Sequence, residues 1–443
     1  MARSYYIHTF GCQMNASDSQ RMGEALARAG WEPISAPDTA DLVLVNTCSI
    51  REKAEDKLFS ALGRYRLLKA QRGTKIGVAG CVAQQEKEKL LKRAPFVDFV
   101  LGPDHLEKVP ELVEKGGVET DFLDTQDYLF PQADPESSRG RATAFVTAMK
   151  GCDNVCSFCV VPYTRGREVS RPYPELVREV AALVEVGVRE VTLIGQNVNS
   201  YAGGCTFADL LRRVAAVPGL LRIRFTTSHP MDLSPELTRA FHEVPQLMPH
   251  FHLPVQHGAD TVLQRMRRKY TIAEYERRIA ELPPGLALTS DIIVGFPGET
   301  DAEHAQNLAF LSRTPYDNLF SFLYSPRPHT GALLKLDEWG EIPRPLALRR
   351  LEEVQALQRA RTAALHRARI GSAVEVLVED PGFGRSRENW TVHFEGDAAV
   401  GDLIRVQVGS ATLVALRGAQ TALVEKAKAA EPPRRRRLSV VSA

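Results

Sequence analysis

Lys150-Gly151-Cys152-Asp153-Asn154-Val155-Cys156-Ser157-Phe158-Cys159 is the stretch on which the reading of this chain turns. Three cysteines stand at Cys-x3-Cys-x2-Cys spacing. The apolar run Ala144-Phe145-Val146 leads in, and Pro162, Gly166 and several arginines follow. The pattern predicts a strand feeding a ligand loop. Thiolates are the usual ligands of iron–sulfur clusters. A structural zinc site takes four closed ligands, so zinc here would need a fourth from elsewhere in the chain. A [4Fe–4S] cluster on three thiolates leaves one iron open, free to chelate a small molecule carrying an amine and a carboxylate.

The rest of the chain sets bounds on that loop. Its 443 residues are too many for one ordinary domain, and two to three are expected. With 44% hydrophobic and 25% charged residues the composition is that of a soluble globular protein. A formal net charge of +2 gives bulk charge no say on nucleic-acid binding. Seven scattered cysteines do not make a disulfide framework. Six of them fall into two sets of three, which points to metal ligation in a reducing compartment. No apolar run approaches the roughly 18 residues that span a membrane. Charges interrupt residues 1–30, so no signal peptide is read and a cytoplasmic location is expected.

In the first third, three β-like runs each end at a cysteine. Residues 5–11 lead to Cys12, 42–47 to Cys48 and 76–80 to Cys81. Helical patterns follow at 17–29, 50–70 and 84–93. The spacing is about one βα repeat. In a parallel open sheet the carboxyl ends of the strands share one edge, so these three thiols are expected to converge and to suit a second cluster. Three ordinary buried cysteines are the alternative, since free cysteine is commonly buried. Gly11 and Gly80 would let backbone approach closely.

Residues 126–140 are rich in Pro and Ser and read as a linker. Beyond them strands are predicted near Phe145 and over 190–195, 221–227, 250–256, 286–295 and 318–324. Six strand–helix units predict a partial (β/α)6 barrel over 141–370. The cysteine spacing at the head of such a barrel resembles that of the radical S-adenosylmethionine (SAM) enzymes. There the open iron binds SAM, which is cleaved to a 5′-deoxyadenosyl radical. Polar and glycine residues at the strand ends lie on the ligand face of such barrels. Gly195, Gln196, Asn197, Ser228, Gln256 and Gly295 are therefore assigned to SAM as a set. His229, His252 and His257 are candidate bases or ligands, with His252 read as a core residue. No catalytic residue is assigned. Cys205 lies outside both triads and is given no role.

A helix with seven arginines is expected over 344–370. Short alternating runs at 373–378, 389–394, 403–408 and 412–416 predict a small all-β barrel within 371–430. Such barrels often bind RNA, yet residues 371–425 hold eight acids and four bases. Basic surface must then come from Arg385, Arg387, the preceding helix and the tail 431–443, read as a disordered basic arm.

Taken together these motifs resemble the methylthiotransferases over nearly the whole chain. Within that family the match is closest to the MiaB-like enzymes, which modify N6-(dimethylallyl)adenosine in tRNA. The carrying strings are Thr9-Phe10-Gly11-Cys12-Gln13-Met14-Asn15, Asn46-Thr47-Cys48-Ser49-Ile50-Arg51-Glu52-Lys53-Ala54 and 151–168, with Gly195-Gln196-Asn197-Val198-Asn199-Ser200-Tyr201 and Arg385-Ser386-Arg387-Glu388-Asn389-Trp390. The resemblance implies an α/β protein in three parts: an N-terminal parallel-sheet βα domain over 1–125, a central radical SAM barrel, and a C-terminal TRAM-like β-barrel. It implies [4Fe–4S] clusters on Cys12, Cys48 and Cys81 and on Cys152, Cys156 and Cys159. It also implies two SAM molecules, tRNA as substrate, a flavodoxin- or ferredoxin-like electron donor, no membrane, and a monomer. The expected reaction places a methylthio group on C2 of the adenosine at position 37. Threonylcarbamoyladenosine tRNA and a ribosomal-protein aspartate are the alternative acceptors. Tyr163, Arg165 and Arg167 are expected to form a surface for a splayed base. The chain departs from the family at His257-Gly258-Ala259, where Ser-Gly-Ser is usual, and at Pro328-His329-Thr330-Gly331, where Pro-Gly-Thr-Pro is usual.

Overall fold

β1 (Arg3–Phe10), β3 (Leu42–Thr47) and β4 (Lys75–Gly80) lie side by side in the computed structural model, which describes residues 3–49, 53–125, 128–131 and 133–427. They pair in parallel, with Phe10 level with Thr47 and Thr47 level with Gly80. Three further strands complete the sheet: β2 (Trp31–Pro33), β5 (Phe99–Leu101) and β6 (Gly117–Glu119), in the order β2-β1-β3-β4-β5-β6. The sequence reading missed these three because three residues are too few for periodicity to register. β3 is buried along its whole length, as a parallel strand covered on both faces should be. Val43, Val45, Ile76 and Val78 pack on one face with Leu58, Leu62 and Tyr65 of the helix Lys53–Arg72. Leu42, Leu44 and Ala79 pack on the other with Met22 and Leu26 of the helix Gln13–Arg28. The helix predicted from residue 84 begins at Cys81 and breaks at Lys87, whose φ is 49°. Residues 50–52 of the expected second helix lie outside the described residues.

The middle of the chain supplies the six predicted parallel strands. β7 (Thr143–Thr147) is followed by a two-stranded ribbon, β8 (Met149–Lys150) and β9 (Val169–Ser170), that brackets the cysteine loop. Then come β10 (Glu190–Ile194), β11 (Arg222–Phe225), β12 (His250–His252), β13 (Ala287–Val294) and β14 (Tyr316–Leu323). They form the sets β7-β10-β11 and β12-β13-β14, bridged between Ile223 and Leu247. β7 and β14 do not pair with each other, so the barrel stays open on one side.

The helix Arg344–Arg367 leads to a closed five-stranded barrel. Its strands are β15 (Ala373–Asp380), β16 (Phe383–Ser386), β17 (Thr391–Glu395), β18 (Leu403–Ala411) and β19 (Leu416–Glu425). The sequence reading missed β16 and put the last strand at 412–416, where the chain turns. β19 is largely exposed, so it carries little of the alternation that marks a strand. This small barrel sits against the N-terminal ends of β10 and β11. The guanidinium of Arg222 donates to the carbonyl of Arg385 at 2.9 Å, and that of Arg224 to the carbonyls of Ser386 and Arg387 at 2.7 and 2.9 Å. The basic tail over 431–443 lies outside the described residues, among which no helix is long and apolar enough to cross a membrane.

Candidate active site

Parallel register brings the first triad together. Cys12, Cys48 and Cys81 follow just after the paired ends of β1, β3 and β4. The Cys48 thiol hydrogen-bonds Cys12 and, more than any other group, draws the Cys12 thiol down to about 6. Burial pushes the Cys81 thiol up. Two asparagines lock this corner. Asn15 Nδ2 donates to Asn46 Oδ1 at 3.1 Å, and Asn46 Nδ2 donates to the carbonyl of Asn15 at 2.8 Å. Both are fully buried. A Cβ on Gly11 would stand 2.4 Å from Asn15 Oδ1 and 2.7 Å from Cys48 Cβ, and Gly11 has φ +147°. The Thr47 and Ser49 hydroxyls flanking Cys48 are buried without a hydrogen-bond partner among the described residues. A thiol triad, a glycine cradle and orphaned hydroxyls fit a sulfur-rich group seated on this edge.

The second triad sits in a loop clamped from beneath. Ser157 N–H donates to the carbonyl of Met266 at 3.0 Å, Ser157 Oγ to that of Arg265 at 2.7 Å, and Ala332 N–H to the carbonyl of Ser157 at 2.7 Å. Arg268 Nη1 lies 3.4 Å from Cys156 Sγ, and Asn154 Nδ2 lies 3.6 Å from Cys152 Sγ. Burial pushes the Cys159 thiol up to about 12 and Cys152 in the same direction. Donors aimed at the sulfurs compensate that burial when thiolates are formed. Among the described residues no three His, Cys, Asp or Glu side chains are arranged round one metal-ion position.

The residues assigned to SAM divide by position. Gln196 Oε1 accepts from Gly151 N–H, tying the end of β10 to the cysteine loop. Gly195 makes room for Met149, whose Cγ would be 2.4 Å from a Cβ there. Asn197 Nδ2 donates to Asp232 at 2.8 Å, while Asn197 Oδ1 and Ser228 Oγ are buried without a partner among the described residues. Gln256 is buried and bridges to Ile292 with φ +76°. Gly295 donates its N–H to Glu299, and its bare α-carbon faces Ala347 of the long helix. The last of these is a helix-packing glycine in this structure.

Three histidines and one cysteine have ordinary surroundings. His229 Nδ1 accepts from Met231 N–H at 3.2 Å, and burial holds its pKa down to about 3. His257 is fully buried between Ala259 N–H and Glu299. His252 lies 3.0 Å from Thr289 Oγ1. Cys205 packs at the margin of the barrel core. A Cys205→Ala chain is expected to keep its full iron content and activity, as an iron assay and a turnover assay would show.

One expectation about the base surface needs correcting. Tyr163 is half exposed, with His329, at φ 66°, 5.5 Å away ring to ring, and Arg167 is exposed beside Asp153. Arg165, in contrast, is only 4% exposed and turns into the N-terminal sheet domain. It cannot receive a base. Sequence inspection also missed Arg268, which lies in no recognisable motif, and the Asn15–Asn46 pair. The position of Asn15 three residues after Cys12, at the start of a helix, was the available signal for that pair.

A polar chamber of about 460 Å³ lies along β7, β10 and β11 and reaches all three parts of the chain. Gln13, next to Cys12, lines one end and hydrogen-bonds Thr226 at 2.9 Å. Phe145, Glu190, Arg224 and His250 line the middle, and Arg385 of the small barrel closes the far end.

This fold and its cysteine loop define a radical SAM protein. The model of the Radical SAM superfamily matches residues 146–311, and that of Uncharacterized protein family UPF0004 matches residues 4–102. Among solved structures, the radical SAM methyltransferase TsrM from Kitasatospora setae superposes with a TM-score of 0.55 at 15% identity, covering 76% of each chain. The cobalamin-dependent radical enzyme OxsB gives 0.52 at 12% identity, covering 80% of this chain and 56% of that one. Identities this low speak to fold alone. Curated relatives named tRNA-2-methylthio-N(6)-dimethylallyladenosine synthase are much nearer. Those of Anaeromyxobacter sp. (strain Fw109-5) and Myxococcus xanthus (strain DK1622) are 61% and 56% identical. They cover 92% and 96% of this chain and 93% and 95% of their own. The chain belongs to the tRNA-2-methylthio-N(6)-dimethylallyladenosine synthase family. Radical SAM membership carries with it SAM and a [4Fe–4S] cluster.

Proposed function

We propose that this chain attaches a methylthio group to C2 of N6-(dimethylallyl)adenosine at position 37 of tRNA, using two SAM molecules and two [4Fe–4S] clusters. One cluster belongs on Cys152, Cys156 and Cys159, the other on Cys12, Cys48 and Cys81. The observation that supports this reading is the contact between the two cysteine-bearing parts of the chain: Arg165, six residues past Cys159, reaches to 3.3 Å from Cys81 Sγ. When bound, the clusters supply an electron for SAM cleavage and a seat for the transferred sulfur. The chain's own groups bind, orient and enclose. Gln196 fixes the start of the cysteine loop, and Asn197 Oδ1 and Ser228 Oγ offer unpartnered buried acceptors and donors for SAM. The chamber's volume lies in the range of small-ligand sites, roughly 300–1,000 Å³. A base must leave its stack to enter it, and the exposed Tyr163 ring offers a face on the way.

In this reading residues 1–125 carry sulfur, 141–370 make the radical, and 371–430 hold RNA and close the chamber. The enzyme is cytoplasmic and draws electrons from a flavodoxin- or ferredoxin-like protein. The substrate is tested by offering tRNA from cells lacking the dimethylallyl modification beside modified tRNA. Modified tRNA is expected to be methylthiolated far faster. Equal rates on unmodified tRNA, on threonylcarbamoyladenosine tRNA or on a ribosomal protein would refute the assignment.

A further inference from the structure

Arg165 belongs by sequence to the barrel but by contact to the N-terminal sheet domain. Its Nη2 donates to Asp18 Oδ2 at 2.6 Å, and its Nε faces Cys81 Sγ at 3.3 Å. Asp18 is buried too and lies on the helix that starts directly after Cys12. The interface has other ties: Lys150 to Asp104 at 2.6 Å, Ser17 to Thr147 at 3.1 Å, and Arg21 to Glu179 at 2.8 Å. A buried ion pair is a poor way to gain stability, so holding the two parts together does not account for an N–H aimed at a ligand sulfur. Hydrogen bonds to cluster sulfurs and local charge set the reduction potential of an iron–sulfur cluster. A guanidinium at this sulfur favours the reduced, more negative cluster, and the Asp18 carboxylate opposes it.

The geometry points to Arg165 as a positioning residue that fixes the Cys81 corner of the N-terminal cluster against the barrel and raises that cluster's reduction potential, with Asp18 as the opposing charge. This rests on the reading that the first triad holds a cluster, and the experiment separates the two. The parent is the full chain with Cys152, Cys156 and Cys159 changed to Ala, which should keep only the N-terminal cluster, about four irons. In that parent, Arg165→Gln and Asp18→Asn are compared by redox titration followed by electron paramagnetic resonance. Both should keep their iron. At a fixed potential the reduced-to-oxidised ratio should fall about tenfold with Arg165→Gln, about 59 mV for one electron. It should rise with Asp18→Asn. Arg165→Lys, which keeps the charge, should fall between Arg165→Gln and the parent and guards against a variant that fails to fold. Unmoved potentials, or shifts of the same sign in Arg165→Gln and Asp18→Asn, would overturn the inference. A parent without iron would overturn the two-cluster reading instead.

Discussion

A chain with Cys152, Cys156 and Cys159 all changed to Ala is expected to bind about four irons where the intact chain binds about eight, and to release no 5′-deoxyadenosine from SAM. The loop is held by Ser157 through three backbone and side-chain bonds to 265–266 and 332, so losing the thiols should not unravel it. The first triad is built on a different sheet by different strands. Its iron should therefore survive. Iron analysis and chromatography of the SAM products check both halves. Full iron retention, or continued 5′-deoxyadenosine release, would show that these cysteines are not the ligands.

The second large effect is expected at Arg224. Its Nε donates to Glu190 Oε1 at 2.9 Å, and its other nitrogens hold the small barrel's backbone at Ser386 and Arg387. The Glu190 side chain is 4% exposed, and its nearest other cation, Arg222, is 4.0 Å away. Arg224→Ala leaves that carboxylate buried and nearly alone, at a cost of about 3–5 kcal/mol. For a unit the size of this barrel the melting temperature should fall on the order of 10 °C. Changing Arg224 to Met together with Glu190 to Gln should recover most of the loss, because neutral groups of similar volume need no partner. Thermal unfolding of the three chains decides it, and a single variant as stable as the parent would contradict the role given to this pair. Cutting after Ile370 also removes a wall of the chamber, which Glu379, Asp380, Arg385 and Asn389 line.

Much of this was legible in the chain because periodicity and spacing carry it. β1, β3 and β4 each ran into a cysteine, and parallel register does the rest. The six barrel strands alternate with helical stretches and are bounded by glycine, proline and polar residues, and all six were found. The missed strands were two to four residues long or, like β19, mostly exposed. Arg165 was misread for a different reason. Local sequence places it in an exposed, basic loop, and only the approach of a second sheet turns that loop's outer face into a buried interface. The docking of the small barrel was not legible, since nothing in residues 371–425 announces that Arg222 and Arg224 dock into its backbone.

The central claim is that two cluster sites act on one substrate. Nucleosides from tRNA incubated with reduced protein and SAM, analysed by mass, test it most directly. The intact chain should yield the 2-methylthio nucleoside, and chains lacking either cysteine triad should yield none. A methylthiolated product from either triad variant, or its absence with the intact chain on dimethylallyl-modified tRNA, would contradict the account.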